Sequence, residues 1–221
     1  MVEIRNAEVH GLERAVNAIS NSFNVGIINT MMATEGERPW KVAKALGGNM
    51  DPHQSHDAYL KGIVVFYDLK GNGCFMPEFQ RYHFHELVMS QSTMHSLKKL
   101  LGSDGSTIGF DPYTKYVTEE TRALVKKYYE QWEVAQKLGD KSAEYKALMT
   151  LLHNIPRGLE LWVTVKSSYL QLKTQVIQRA GHKQVEDWRS FIEFCYSLPK
   201  FRELCGFADE KWNIDRIFPL I

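Results

Sequence analysis

Two stretches of this chain carry side chains that could do chemistry. The first is Phe79-Gln80-Arg81-Tyr82-His83-Phe84-His85-Glu86-Leu87-Val88-Met89-Ser90-Gln91-Ser92-Thr93-Met94-His95, where an aromatic and histidine segment runs into a hydroxyl-rich one. Its polar groups can exchange protons and bind anions, while its apolar flanks suit a core. The second is the segment from Ser168 to Arg179, whose apolar stripe Tyr169, Leu172, Val176 continues by three residues onto Arg179. A guanidinium at the edge of a buried face demands an anion or several acceptors. A phosphate or carboxylate meets that demand through bidentate bonds. The other reading is an arginine in the last helical turn, facing the negative helix end before Gly181.

The histidines raise a metal question. On a strand His83 and His85 share one face and could ligate together; on the helix that Pro77 can begin, they point far apart. No metal is expected. For Ser90, Ser92 and Thr93 the local alternatives are a cap or a turn, in which hydroxyls bond nearby amides, or an outward-facing phosphate cradle. The Gly-rich loop of a nucleotide triphosphatase, Gly-x-Gly-x-x-Gly and Gly-x-Ser-x-Gly are all missing. Lys173 and Lys183 read as solvated.

The elements that must position these residues follow from periodicity. Val2 to Ile4 starts as a short strand, and Val9, Leu12, Val16, Ile19 and Phe23 repeat at helical spacing. Thr34, Glu35, Glu37 and Pro39 open a second helix that Gly47-Gly48 would close. Gly62 to Leu69 is β-branched and aromatic and ends at the turn signature Lys70-Gly71-Asn72-Gly73, so it predicts a strand. Gly102 to Thr114 has the composition of a surface loop. Leu124, Tyr128, Trp132 and Ala135, ended by Gly139, and Tyr145, Leu148, Met149 and Leu152, opened by Ser142, predict a helical hairpin over about 117–153. Leu159 to Val165 predicts a strand, Ser168 to Arg179 a helix, and Val185 to Ser197 another with Val185, Trp188, Ile192 and Cys195 on one face. The aromatic tail from Phe201 to Ile221 should pack.

Composition bounds the rest. The chain has 221 residues, 44% of them apolar, enough for one domain over 1–221. Twenty-seven basic against 26 acidic side chains give no global field, so no long nucleic acid is expected as a partner. Any anion must be held locally. No apolar run approaches the roughly 18 residues of a bilayer helix. Cys74, Cys195 and Cys205 are odd in number and lack Cys-x-x-Cys spacing, disfavouring a disulfide framework or zinc knuckle. The first residues do not read as a secretion signal, and a reducing cytoplasm is the expected compartment.

At the chemical stretches the chain resembles the flavin-dependent thymidylate synthase (ThyX) family. That family's signature, Arg-His-Arg-x-x-Ser-x-Asn-Glu-x-Ser-x-Arg-Tyr, aligns without gaps on Tyr82 to His95, matching at His83 and Ser92. Ser55 to Ile63 falls where the family has a His-Glu-x-x-x-Glu-His-like segment leading into a strand. Downstream, Ile155-Pro156 resembles a Leu-Pro pair, Glu160 to Lys166 the following strand, Ser168 the start of an Asn-x-Arg turn, Arg179 the arginine closing the next helix, and Gln184 to Arg189 an Ala-Gln-x-Glu-Ile-Arg stretch. Tyr82 and Phe84 replace both signature arginines, Met89-Ser90 replaces Asn-Glu, Met94 another arginine, and Leu152 an arginine before Leu-Pro.

The resemblance implies an α+β fold, a mixed or antiparallel sheet flanked by helices, assembled as a homotetramer with a pyrimidine nucleotide as partner. It implies a one-carbon (methyl or hydroxymethyl) transfer to C5 of dUMP or a related nucleotide, with FAD, NADPH and methylenetetrahydrofolate as helpers. Ser92 and His83 would be catalytic; Arg179, Gln91, Ser92, Thr93 and Arg81 would hold the nucleotide; and His56, Lys61, Tyr82, His83, Ser168 and Tyr169 would line the cofactor. Tyr169 and Gln178 also stand as second-tier candidates. Lys61, Arg81 and Lys173 could replace missing positive charge. The alternative is a non-catalytic protein that senses or sequesters a nucleotide after losing the flavin site. A third is a fold that serves assembly alone.

Overall fold

A computed structural model describes residues 1–22, 37–50, 56–82, 85–101 and 111–219. The architecture is α+β: a four-stranded antiparallel sheet flanked by helices. The strands are β1 (Glu3–His10), β2 (Val64–Asn72), β3 (Glu86–Ser90) and β4 (Glu160–Ser168), in the spatial order β1-β2-β4-β3. Among the described residues the helices are α1 (Leu12–Ala18), α2 (Arg38–Gly47), α3 (Met76–Gln80), α4 (Thr93–Leu101), α5 (Glu119–Leu138), α6 (Lys141–His153), α7 (Tyr169–Arg179), α8 (Val185–Ser197), α9 (Phe201–Leu204) and α10 (Ile214–Ile217). None of them is long and apolar enough to cross a membrane.

The chain divides into two compact units. The first comprises Met1–Leu69, Gln80–Val88 and Thr164–Ile221. In it Ile63, just before β2, and the alternate β2 residues Val65, Tyr67 and Leu69 are buried, the period of two that a strand with one core face requires. They share this core with Val165 of β4, Leu172 and Val176 of α7, and Phe191, Ile192 and Cys195 of α8. The tail packs as expected, with Phe201, Leu204, Phe207 and Phe218 at or near zero exposure. Gly47, the last residue of α2, is required by close approach: a Cβ there would collide with the Leu204 carbonyl oxygen and the Tyr59 hydroxyl.

The second unit comprises Lys70–Phe79 and Met89–Val163, and its centre is the α5–α6 hairpin. Val125, Tyr129 and Trp132 of α5 meet Leu151 of α6 and Leu97 of α4. Thr118 caps α5, and Gly139 ends it in the left-handed conformation at φ 71°. The residue opening α6 is Asp140 rather than Ser142: its carboxylate accepts from the backbone amides of Ser142 and Ala143.

Further boundaries differ from expectation. Val9 belongs to β1, not to the first helix, which starts only after Gly11. The strand over 64–72 runs through Gly71 and Asn72 before turning. The helix at Pro77 is five residues long. The segment that follows is not its continuation but strand β3, exposed at all five positions. A short edge strand open on both faces leaves no alternation in its sequence, so Glu-Leu-Val-Met-Ser gave no strand signal.

Candidate functional site

A polar cluster lies along α7 in the first unit. Ser168 starts the helix with a capping box: its hydroxyl accepts from the Gln171 amide at 3.4 Å, and the Gln171 side chain accepts from the Ser168 amide at 2.6 Å. Leu172 and Val176 anchor the apolar stripe. Gln175 and Arg179, four residues apart, share one face. His85 and Tyr82 supply a partner to each. The Gln175 amide, at 0% exposure, lies 3.1 Å from Nδ1 of the buried His85. The Arg179 guanidinium lies over the Tyr82 ring at 5.3 Å and over the Trp188 ring of α8 at 4.7 Å.

The rings of Tyr82 and Trp188 are 6.5 Å apart and edge to face. With the guanidinium carbon 5.3 and 4.7 Å from their centres, the three points make nearly a right angle at the cation. The rings therefore form a corner against two sides of the guanidinium, not a sandwich over its two faces. Their negative π faces attract the cation, by about 0.5–2 kcal/mol for each contact. His182 completes the wall, its ring 5.9 Å from Trp188. The Gln184 amide donates to its Nδ1 at 3.1 Å, so the proton of the neutral ring sits on Nε2.

One further feature of Gln175 follows from its burial. Among the described residues its Oε1 has no hydrogen-bond partner, so the acceptor half of a fully buried amide is left unsatisfied there. Such an atom costs stability unless a water or ligand reaches it.

A second polar group of the same unit is structural. Lys173, 3% exposed, donates to the carbonyls of Gly47 at 2.7 Å and Asn49 at 3.1 Å and to the Asp57 carboxylate at 2.8 Å. The expectation that Lys173 is solvated is therefore corrected. Its ammonium is held within the fold and is not a replacement charge for a ligand. Tyr169, at 0% exposure, donates its hydroxyl to the Pro199 carbonyl at 2.6 Å. Burial, with help from the nearby thiols of Cys205 and Cys195, pushes that phenol above its usual range.

The remaining candidates are placed as follows. His56 and Lys61 are exposed, one before and one within the short turn of helix at Ala58–Gly62. Ser168 caps α7 and Gln178 is exposed on it. Arg81 is exposed beside Tyr82. His83 lies outside the described residues. In the second unit, Gln91 extends the pairing of β3 with β4: its backbone amide donates to the Trp162 carbonyl at 2.9 Å and its side chain accepts from the Trp162 amide at 3.0 Å. Ser92 precedes α4, and its hydroxyl is 3.3 Å from the His95 amide and 3.0 Å from His95 Nδ1. Thr93 is the first residue of α4 and half-buried. Ser92 and Arg179 thus belong to different compact units.

Trp188, Gln175, His85 and His182 were not singled out by sequence as parts of one site. The spacing of Gln175 from Arg179 was the one available signal. Arg189, on the stretch that resembles Ala-Gln-x-Glu-Ile-Arg, is structural: it bonds Asp215 at 2.6 Å and Glu193 at 3.0 Å, tying α8 to α10. Among the described residues no three His, Cys, Asp or Glu side chains are placed to hold a metal ion.

No family model matches the chain, and no curated protein matches it significantly. Solved structures do. The chain is similar to thymidylate synthase X from Helicobacter pylori, solved with FAD and dUMP, with a TM-score of 0.63 and 14% identity over 93% of this chain and 97% of the other. A second structure of the flavin-dependent enzyme from that organism, also with FAD and dUMP, gives 0.61 and 13% over the same shares. The fold is therefore ThyX-like.

Proposed function

We propose that this chain binds a pyrimidine deoxynucleotide such as dUMP, as a divergent protein of the flavin-dependent thymidylate synthase type spanning 1–221. The observation that carries the reading is the Arg179 guanidinium, held by two rings at the end of α7 in a ThyX-like fold. A guanidinium so held offers a rigid fork of donors to a phosphate or to the edge of a pyrimidine ring. Arg81, Gln91, Ser92 and Thr93 are the further nucleotide contacts, with Ser92 and His83 nearest the chemistry. The activity that goes with this reading is transfer of a one-carbon group to C5 of the bound nucleotide in a homotetramer.

The residues at hand fit FAD poorly. Tyr82 and Phe84 stand where the resemblance calls for arginines, and the Tyr82 ring is packed on Arg179. Ser168 caps a helix and Tyr169 is buried with its hydroxyl engaged. Among the described residues that leaves His56 and Lys61 as exposed polar groups of the proposed cofactor set. The same observation favours a second reading, retention of the nucleotide without turnover, as in a sensor or sequestering protein.

Calorimetry of the purified chain against a panel of deoxynucleotides tests the common core of both readings. Micromolar to millimolar binding of dUMP is expected, weakened at least tenfold in Arg179→Ala, the loss typical of a charge-assisted pair. Tritium release from C5-labelled dUMP, with flavin, reductant and methylenetetrahydrofolate supplied, then separates turnover from retention. Absence of binding to every nucleotide in the panel would remove both.

A further inference from the structure

The geometry points to Tyr82 and Trp188 as positioning residues that preorganise the Arg179 guanidinium for nucleotide without help from a flavin. This inference rests on the nucleotide-binding reading of Arg179. Three observations carry it. First, the two rings meet edge to face and enclose the cation in a corner, at 5.3 and 4.7 Å. A corner removes two directions of swing from a long, rotamer-rich side chain, so less ordering remains for the moment of binding. Second, the corner is itself tied down. Trp188 is at 0% exposure between Phe191 and His182. Tyr82 is tied to His85, whose backbone amide donates to the Tyr82 carbonyl at 3.4 Å, and His85 meets Gln175 one turn before Arg179 on the same face of α7. Tyr82 and His85 thus meet α7 at two successive points, Arg179 and Gln175.

Third, the residue at 82 changes the electrostatics. A cation there would face the Arg179 charge across about the present ring distance, and the pair would need an anion to sit between them. A tyrosine replaces that like charge with a π face that attracts the guanidinium. The arginine is then held in the ligand-free chain by groups the chain itself supplies. The expected consequence is nucleotide binding that does not depend on an added cofactor.

Titration calorimetry of the full chain with dUMP, in the absence and presence of FAD, tests this. The unaltered chain should bind dUMP with an affinity that FAD changes less than about twofold. Tyr82→Phe keeps the ring and should bind like the unaltered chain. Tyr82→Leu should weaken dUMP about tenfold. Trp188→Phe and Trp188→Leu should repeat the contrast, with thermal melting identifying any variant that does not fold. In an Arg179→Lys background, where the planar fork is gone, Tyr82→Leu should cost little more. A requirement for FAD, equal binding by Tyr82→Leu and Tyr82→Phe, or the same Tyr82→Leu loss with and without Arg179 would overturn the positioning role while leaving nucleotide binding intact. Failure of the unaltered chain to bind dUMP under either condition would remove the nucleotide reading and this one with it.

Discussion

At the end of α7 an amide, an imidazole and a guanidinium are walled in by aromatic rings, whereas in the turn before α4 a hydroxyl, an amide and an imidazole stand at the surface. The residue types are nearly the same. In the first region Gln175 and His85 are buried and face each other, and the Arg179 charge is turned into a corner of two rings. In the turn, the Ser92 hydroxyl and the Gln91 side chain are bonded to backbone amides within reach, in ways that start a helix and prolong a strand pairing. Burial is what separates them. A polar group held away from water must be oriented by its neighbours, and orientation is what ligand recognition needs.

The comparison can be broken most decisively at the buried ammonium on the neighbouring face of α7. Lys173→Ala strands the Asp57 carboxylate and two carbonyls away from their donor, so it should cost about 3–5 kcal/mol of unfolding free energy in a denaturant titration. A loss below about 1 kcal/mol, the range of exposed pairs, would show that this side of α7 is no more organised than the surface. At the turn, Ser92→Ala removes a helix cap and should cost about 1 kcal/mol. If dUMP binding falls as well, the turn is part of the nucleotide site; if stability alone changes, its hydroxyl serves the helix only.

The smallest effect is expected on the sheet surface. Hydrogen bonds from Asn6 first and Thr164 second hold the Asp68 carboxyl below its usual range. A lowered folded pKa means that the unfolded chain binds the proton more readily, so stability rises with pH through this window. The contribution is present above the ordinary carboxylate pKa and is lost as pH falls through the depressed one. Asp68→Asn should flatten the acid limb of a melting-temperature profile, losing about a degree or two near neutrality and little at acid pH. An unchanged acid limb would mean that this carboxylate is not held by its partners.

Much of the fold was legible because its signals are local. The α5–α6 hairpin showed apolar residues at helical spacing and a glycine where a left-handed end was needed, and α7 and α8 followed from the same period. Strands β2 and β4 showed β-branched and aromatic runs. Strand β3 did not, because exposure on both faces removes the alternation that identifies a strand. The site was legible at one residue of its centre. Arg179 stood out as a charge ending an apolar stripe, but neither of the two readings open to it, an anion or the helix terminus, named the rings of Tyr82 and Trp188. Lys173 was misread for a related reason: its acceptors come from residues 116 to 126 positions earlier in the chain.

Alone, the sequence determined that the α5–α6 hairpin, α7 and α8 are helical, which apolar stripes face a core, and that any anion would have to be met by a local site, since its charges nearly cancel. Those properties depend on neighbours within a few positions or on a sum over the chain. The tertiary structure decided which polar residues lose their water and what replaces it: a carbonyl and carboxylate nest for Lys173, an aromatic corner for Arg179. No spacing rule could have supplied those partners, because desolvation is set by whatever the folded chain brings alongside a group, and the Lys173 acceptors and the Tyr82 ring both come from far along the sequence.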